Sequence, residues 1–344
     1  MSKLRIPIFF HKEQLAHKPL FEWAFGNKIP HPETTHRAEN ILSAVKADPS
    51  RFDIKEPTKF PLQAIGAVHN KHMVEVFRAA QSLPLDQTFY PSVFPYHRDR
   101  SNLDPKNIHH AGAFCFDSGT PLNATTYGAA AWSAACAMEA GKEVASGRSQ
   151  VSYALCRPPG HHASKDLFGG YCYFNNAAIV AYQLRKSAKK IAILDIDFHH
   201  GNGTQVLFYD DPLVLVINLH GNPERFYPYF TGYSSEKGAG AGKGFNINLP
   251  LPDGCDGKHY CQVVESDVIP KLKKYNPDAL VISAGFDTYV GDPIGSFSLV
   301  TEDYHRIGSM ICKLGYPTII VQEGGYEATS LGKNVATFLE AFSG

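Results

Sequence analysis

Runs of apolar and β-branched residues recur along the chain, each followed by a turn that contains glycine. Runs without polar alternation are typical of strands buried on both faces of a parallel sheet. They predict strands at 151–156, 191–196, 213–219, 279–283 and 318–321. Segments with the apolar spacing of helices predict helices at 124–144, 175–186, 258–275, 302–314 and 330–341.

This alternation predicts an α/β fold with a central, mainly parallel sheet and helices on both faces. In such folds the loops that carry function gather at the carboxyl ends of the strands. A chain of 344 residues that is 44% hydrophobic has enough apolar material for one large core. We therefore predict a single domain over residues 1–344.

Residues 83–122 interrupt this pattern. Proline, asparagine, aspartate, histidine and aromatic residues crowd there without a helical or strand period. Because irregular loops of this length are uncommon inside compact domains, we expect this segment to have a function of its own.

Charge and cysteine content narrow the function classes. Lys plus Arg and Asp plus Glu both number 33, which removes the broad electrostatic attraction used by binders of nucleic acid or anionic membranes. The first ten residues are too short an apolar run for a signal peptide or a membrane span. Seven scattered cysteines without a CxxC pair indicate reduced thiols, and we expect a cytoplasmic enzyme.

The most informative segment is IAILDIDFHHGNG at 191–203, where a buried strand runs into a glycine turn. Period-two alternation places Asp195, Asp197 and His199 on one face, where unpaired burial would be unfavourable. A cation resolves that problem, and mixed carboxylate and imidazole ligands favour zinc or another divalent transition metal. The competing interpretation is that the aspartates cap loops and His199 is a satisfied core residue.

Three other segments follow predicted strands. RPPGHH at 157–162 is a rigid loop that can aim His161 and His162 into one cavity as proton carriers, or leave them exposed. AGFDTYVGDPIG at 284–295 offers Asp287 and Asp292, either of which can be a third metal ligand or ordinary turn chemistry. EGGY at 323–326 can present the Tyr326 hydroxyl to a developing oxyanion, or simply expose it.

Taken together and in this order, these four motifs resemble those of the zinc-dependent histone deacetylase superfamily. The match spans roughly residues 150–330. The resemblance implies an arginase/deacetylase-like fold and one catalytic zinc ion. The implied ligands are Asp197, His199 and Asp292, so Asp287 is not the third ligand on this basis.

The resemblance also implies the catalytic roles. His162 would be the general base and acid, His161 an electrostatic partner that orients water, and Tyr326 would polarise the acetyl carbonyl. Asp195 would hydrogen-bond His161 and belong to a monovalent-cation site. Asn202 stands where some relatives have aspartate, which predicts a less basic His162.

Other segments bear on cation binding and substrate choice. Asn218 stands where many relatives place serine near the cation, so potassium binding is less strongly implied. GGYCYF at 169–174 and FYP at 226–228 resemble channel walls, with Tyr171 and Tyr227 at the aromatic positions. Asp117 lies near a family carboxylate that meets a substrate ammonium, although a solvated loop acid fits its sequence context better.

The insertion, with PSVFP at 91–95 and Tyr96, His97 and Arg98, looks like the dimer-forming loop of bacterial acetylpolyamine amidohydrolases. So does GAGAGKG at 238–244. In those enzymes a partner subunit narrows the channel, so the resemblance implies a homodimer that acts on acetylpolyamines or similar small acetylated amines.

Four alternatives remain at this point. One is an acetyllysine deacetylase that acts on peptides or proteins. Another is a binuclear manganese ureohydrolase, but its second paired-aspartate motif is missing. A cysteine hydrolase would use Cys156 or Cys172 with His161, although Cys156 lies in a predicted buried strand. A non-enzymatic binding module would be expected to have lost a ligand or Tyr326, and neither is missing.

Overall fold

The structure, a computed structural model, describes residues 5–95, 102–104 and 106–343. Eight parallel strands form the central sheet, in the spatial order β6-β5-β4-β7-β8-β3-β1-β2. The strands are β1 (Ile6–Phe9), β2 (Phe52–Lys55), β3 (Val151–Ala154), β4 (Ile191–Asp195), β5 (Val214–Gly221), β6 (Asn246–Leu251), β7 (Ala279–Ala284) and β8 (Thr318–Gln322).

Helices cover both faces of this sheet. They are α1 (Thr35–Lys46), α2 (Leu62–Val68), α3 (Lys71–Ala79), α4 (Thr126–Ala145), α5 (Asn176–Leu184), α6 (Asn202–Phe208), α7 (Gly257–Val263), α8 (Ile269–Tyr275), α9 (Thr301–Cys312) and α10 (Ala328–Glu340). Alternate side chains of each strand enter opposite cores: Ile191 and Ile193 belong to the core that includes residues of α4 and α5, whereas Ala192 and Leu194 belong to the core that includes residues of α8, α9 and α10. The predicted α/β class is thus confirmed.

The predicted helix at 258–275 is not continuous. A π-helical turn, Val264–Val268, separates α7 from α8. Pro270 lies in the first turn of α8, where its missing N–H does least harm, and the wider π turn accommodates it. The remaining predicted strands and helices are present, with ends shifted by at most a few residues.

Residues 83–122 are largely irregular, as expected. Their two ends are held together by pairing of Thr88–Phe89 with Leu122–Asn123, and a short 3-10 helix spans Ile108–Ala113. Beside this segment stands a hairpin, Phe21–Ala24 with Asn27–Pro30. Tyr96, His97 and Arg98 lie outside the described residues, so their predicted role in a dimer is untested.

Two further expectations concern cysteines and membranes. All seven cysteines are free thiols. Within the described ranges, no helix combines the length and apolarity needed to cross a bilayer.

Candidate active site

The four motifs come together because their strands are neighbours at the centre of the sheet. β4, β7, β8 and β3 lie side by side and run in the same direction, so their carboxyl ends meet at one edge. The loops that leave these ends carry the predicted site residues. One cleft therefore receives side chains from segments that are as much as 165 residues apart, as His161 and Tyr326 are.

A cluster of acidic and imidazole groups lies at this edge. Ligand atoms of Asp197, His199 and Asp287 are all within 4.8 Å of one another, and all three residues are buried. His199 Nδ1 is 2.9 Å from Asp287 Oδ2 and 3.3 Å from Asp197 Oδ1. This nitrogen, which a metal would also use, therefore faces two carboxylates.

Asp292 lies beside this cluster but does not belong to the set within 4.8 Å. Its Oδ2 accepts hydrogen bonds from the backbone N–H groups of Tyr326 (2.6 Å) and Glu327 (3.1 Å). It is slightly exposed, whereas Asp287 is completely buried. The structure therefore brings Asp287 closer to the other two than the resemblance implies, and it places Asp292 on the open side.

The cluster fits a cation. Among the described residues no lysine or arginine forms an ion pair with Asp197 or Asp287, and the cationic groups that pair with them are imidazoles. Burial and the charge of Asp197 raise the pKa of Asp287 to about 7. A Cβ atom at Gly285 would overlap the Asp197 carboxylate, and one at Gly324 would lie 2.7 Å from Asp197 Oδ2, so only glycine permits this close approach. Mixed carboxylate and imidazole donors suit zinc.

The two adjacent histidines have opposite electrostatic environments. Burial opposes charge on His161, but the carboxylates of Asp197 and Asp195 outweigh it and raise the His161 pKa to about 10. His161 Nδ1 is 3.0 Å from Asp195 Oδ2. For His162, burial and the charges of His161 and His199 hold the pKa well below its usual value. His161 is therefore an imidazolium beside a neutral His162, with ring centroids 4.0 Å apart.

The partner of His162 fixes which of its nitrogens is free. Its Nδ1 lies 2.7 Å from Asn202 Oδ1. An amide oxygen can only accept, so Nδ1–H donates and Nε2 keeps its lone pair. His162 is thus arranged as a proton acceptor.

Tyr326 lies on the loop after β8 and faces the same cleft. Its ring meets the Tyr171 ring edge-on at 5.7 Å, and the Arg37 guanidinium lies 4.7 Å from its centroid. Arg37 also donates to the backbone carbonyls of Glu323 and Gly325. Arg37 therefore holds this loop from the buried side, while Tyr326 remains partly exposed.

The mouth of the cleft is aromatic and acidic. Tyr227 meets His162 edge-on at 5.0 Å, and its hydroxyl donates to Asp117 Oδ2 (2.7 Å). The other oxygen, Asp117 Oδ1, accepts from Gly119 N (3.0 Å). Asp117 is therefore a fixed carboxylate of the mouth and not the freely solvated acid that its sequence context favours.

Sequence reasoning missed a second acid at this position. Glu22, on the hairpin, is buried next to Tyr171 and Gly119. Burial raises its pKa to about 7, a hydrogen bond with Tyr171 lowers it, and the charge of Asp117 raises it further. No local signal identifies Glu22, because the hairpin approaches residues 117–119 only in the folded chain.

Comparisons with known proteins agree with this geometry. Residues 31–342 match the histone deacetylase domain family. Acetylpolyamine amidohydrolase 2 of Pseudomonas aeruginosa is 41% identical over 341 residues, covering 97% of this chain and 98% of that protein. Human histone deacetylase 9 is 32% identical over 92% of this chain, which corresponds to 32% of its own length.

A solved structure extends the likeness to three dimensions. The acetylpolyamine aminohydrolase of Burkholderia pseudomallei superposes with a TM-score of 0.91 at 37% identity, covering 98% of each chain. The resemblance predicted from the four motifs and the arginase/deacetylase-like fold it implies are both confirmed. This chain belongs to the histone deacetylase domain family.

Proposed function

We propose that this protein is a zinc-dependent deacetylase that removes acetyl groups from acetylated polyamines or similar small acetylated amines. The observation that carries the proposal is the juxtaposition, at one sheet edge, of a buried carboxylate–imidazole cluster, a neutral His162 and Tyr326. The most identical relatives named above carry acetylpolyamine amidohydrolase names, which supports the same chemistry.

Asp197, His199 and Asp292 would hold the ion, and Asp287 lies beside the same site, with its Oδ2 2.9 Å from His199 Nδ1. Zinc bound there would supply Lewis-acid polarisation of the acetyl carbonyl and a more acidic water. His162 Nε2 accepts the proton of the attacking water, and the charge of His161 helps to orient that water. The Tyr326 hydroxyl donates to the oxyanion, and His162 returns the proton to the departing amine.

Two variants test these roles. We expect His162→Ala to lower kcat by about 10²- to 10⁴-fold, because general acid–base catalysis is lost. We expect Tyr326→Phe to lower it by about 10²- to 10³-fold, because an oxyanion donor is lost. Acetate release is measured together with zinc content and circular dichroism. Near-normal turnover in either folded, zinc-containing variant would refute the assigned role.

The substrate class follows from the mouth. Aromatic walls at Tyr171 and Tyr227 grip a methylene chain. The Asp117 carboxylate, and that of Glu22 in its ionised form, favour a substrate with a second, cationic amine. Rates on acetylputrescine, acetylcadaverine, acetylspermidine and an acetyllysine peptide decide between small amines and protein. Clear preference for the peptide would favour the alternative, an acetyllysine deacetylase.

A charge test sharpens this choice. We expect Asp117→Asn and Glu22→Gln to raise KM for acetylputrescine by about 10-fold, the effect of losing one charge-assisted contact. The matched control is a neutral acetylated alkylamine of equal length, for which KM should change little. Equal effects on both substrates would contradict a role in ammonium binding.

A structural potassium ion beside Asp195 is part of the proposal. Asn218 pairs with Asp195 across β4 and β5, and neither of its buried side-chain polar atoms has a hydrogen-bond partner among the described residues. A cation bound there would satisfy the amide oxygen. We expect a higher midpoint of thermal unfolding in potassium chloride than in choline chloride at equal ionic strength, and equal midpoints would remove the ion from the proposal.

We also infer a homodimer that works in the cytoplasm. The free thiols support a reducing compartment. The hairpin and residues 83–122 pack together next to the mouth, since Tyr90 Oη donates to Phe21 O and Ser118 Oγ donates to Trp23 O. A partner docked on this surface would narrow the channel.

A further inference from the structure

A second cluster of potential metal ligands lies beside the cluster of Asp197, His199 and Asp287. Of its members, only His161 has a role in the proposed reaction. Ligand atoms of His161, Cys172 and Glu323 are all within 4.8 Å of one another, and all three residues are buried. Imidazole, thiolate and carboxylate are the three ligand types that zinc and related transition ions take from proteins. We call this cluster the thiol site.

The fold fixes the orientation of each donor. His161 Nδ1 faces Asp195 Oδ2 at 3.0 Å, so Nε2 is the nitrogen that can bind an ion. A carboxylate behind a histidine is the usual second partner of a metal-bound imidazole. Glu323 Oε2 accepts from Gly160 N (2.6 Å) and His161 N (3.1 Å), which ties the carboxylate to the loop that carries His161.

Cys172 supplies the soft ligand. Its Sγ lies 3.2 Å from Gly170 O, to which the thiol donates. Burial raises the pKa of this thiol well above its usual value, so without an ion it is protonated. When an ion binds, it forms bonds to Cys172 Sγ and His161 Nε2, and both the thiol proton and the Nε2 proton of the imidazolium leave to solvent.

We propose that the thiol site binds a second, thiophilic divalent ion when metal is in excess, and that this ion inhibits the enzyme. The two sites are close, because His161 Nε2 lies 3.9 Å from Asp197 Oδ1. Dications held at two such neighbouring sites would repel each other, so the second binds more weakly than the first.

The second ion would inhibit deacetylation because it occupies the His161 imidazole. An ion on Nε2 prevents this imidazole from orienting water beside His162, whose ring centroid is 4.0 Å away. This consequence rests on the proposed function, whereas ion binding itself does not.

Cobalt(II) titration tests the binding step directly. The carboxylate–imidazole cluster contains no sulfur, so an ion there gives no thiolate-to-metal charge-transfer band. We expect that near-ultraviolet band only after the first site is filled, with a final content of two ions per chain. In Cys172→Ser we expect one ion per chain and no band.

The matched control removes the thiols that are more exposed. The double variant Cys261→Ser, Cys312→Ser should keep both the band and the second ion. Cobalt retained in the first site of Cys172→Ser, with an unchanged circular dichroism spectrum, shows that this variant is folded. A band that is absent from the wild type, or that persists in Cys172→Ser, would overturn the proposal.

Zinc inhibition tests the consequence. For each protein, the rate in excess zinc is divided by the rate of the same protein at one ion per chain. We expect Cys172→Ser to need about 10- to 100-fold more excess zinc than the wild type for half inhibition, since one ligand is lost. Equal sensitivity in the two proteins would overturn the inhibitory role. If no acetate is released at all, the proposed function fails, and the cobalt band still decides whether the thiol site exists.

Discussion

His162 depends on one neighbouring amide for its basicity. The Asn202 side chain accepts its Nδ1–H, but an amide stabilises an imidazolium less than a carboxylate would. We therefore expect Asn202→Asp to raise the pKa of His162. Because the proposed base must be unprotonated, the acidic limb of the kcat/KM profile should move up by roughly one pH unit.

The measurement is a pH–rate profile of both proteins on one acetylated amine, with zinc content checked at each pH. Asn202→Gln serves as the control, since it keeps an amide and should not shift the limb upward. If the acidic limb of Asn202→Asp falls at the same pH as that of the wild type, Asn202 does not set the basicity of His162.

Asp287 and Asp292 are the two candidates for the third ligand of the proposed metal ion. Asp287 Oδ1 accepts from Phe198 N (2.9 Å), and its Oδ2 lies 2.9 Å from His199 Nδ1, the nitrogen that a metal would use. Asp292 is slightly exposed, accepts from Tyr326 N, and is the third ligand that the motif resemblance implies. We expect Asp292→Asn to weaken zinc binding more than Asp287→Asn, for which the loss should be about 10- to 100-fold.

Zinc affinity is measured by competition with a chelator for the two variants and the wild type. If Asp287→Asn proves the more damaging change, Asp287 is the ligand and Asp292 supports the Tyr326 loop.

Among the elements, α1 is connected to the site through a buried ionic cluster. Glu33, just before α1, pairs with Arg37 (2.9 Å) and Arg157 (2.8 Å), and all three side chains are almost completely inaccessible. Arg37 reaches the carbonyls of the loop after β8, and Arg157 begins the loop after β3. One carboxylate thus holds together the two loops that carry the histidine pair and Tyr326.

Removing that charge leaves two buried guanidinium groups without an anion. We expect Glu33→Gln to lower the free energy of unfolding by about 3 kcal/mol at neutral pH. Burial raises the pKa of Glu33, but Arg157 and Arg37 outweigh burial and lower it. The stabilisation is therefore complete above the unfolded value of about 4.3 and is lost as pH falls through the folded pKa.

Thermal and denaturant unfolding at several pH values measure this difference. The variant Glu39→Gln, on the exposed side of α1, is the control and should change stability by less than about 0.5 kcal/mol. A Glu33→Gln protein as stable as the wild type at neutral pH would contradict a stabilising cluster.

The central elements could be predicted because they are long, apolar and buried on both faces. The two edge strands, β6 and β2, could not, and neither could β1, which lies next to β2. β1 and β6 contain proline, and β2 alternates apolar and polar residues over four positions, so none shows the signal of a buried strand. The four motifs could be found because each follows a strand. The positions of Glu22 and Glu33 depend on packing between distant segments, which no local pattern records.

At the scale of the whole molecule, apolar side chains are exposed on the hairpin, just before it, and on residues 83–122, which pack against it. The exposed fractions are 75% for Leu20, just before the hairpin, 90% for Phe25 in its turn, and 86% for Leu85 and 74% for Phe94 within residues 83–122. Phe21 and Tyr90 stack at 4.7 Å and join the two segments. Exposed apolar surface of this kind is typical of an interaction site, and its position next to Asp117 favours the proposed homodimer.

We therefore expect Phe25→Asp with Phe94→Asp to convert the dimer into a monomer, because two charges would be buried at the interface. Light scattering after size-exclusion chromatography measures the mass. Leu213→Asp is the control, since Leu213 is also exposed but lies at the opposite, amino-terminal edge of the sheet. If the partner narrows the channel, the monomer should gain activity on an acetyllysine peptide relative to acetylputrescine. A wild type that is monomeric, or a double variant that remains dimeric, would rule out this surface as the interface.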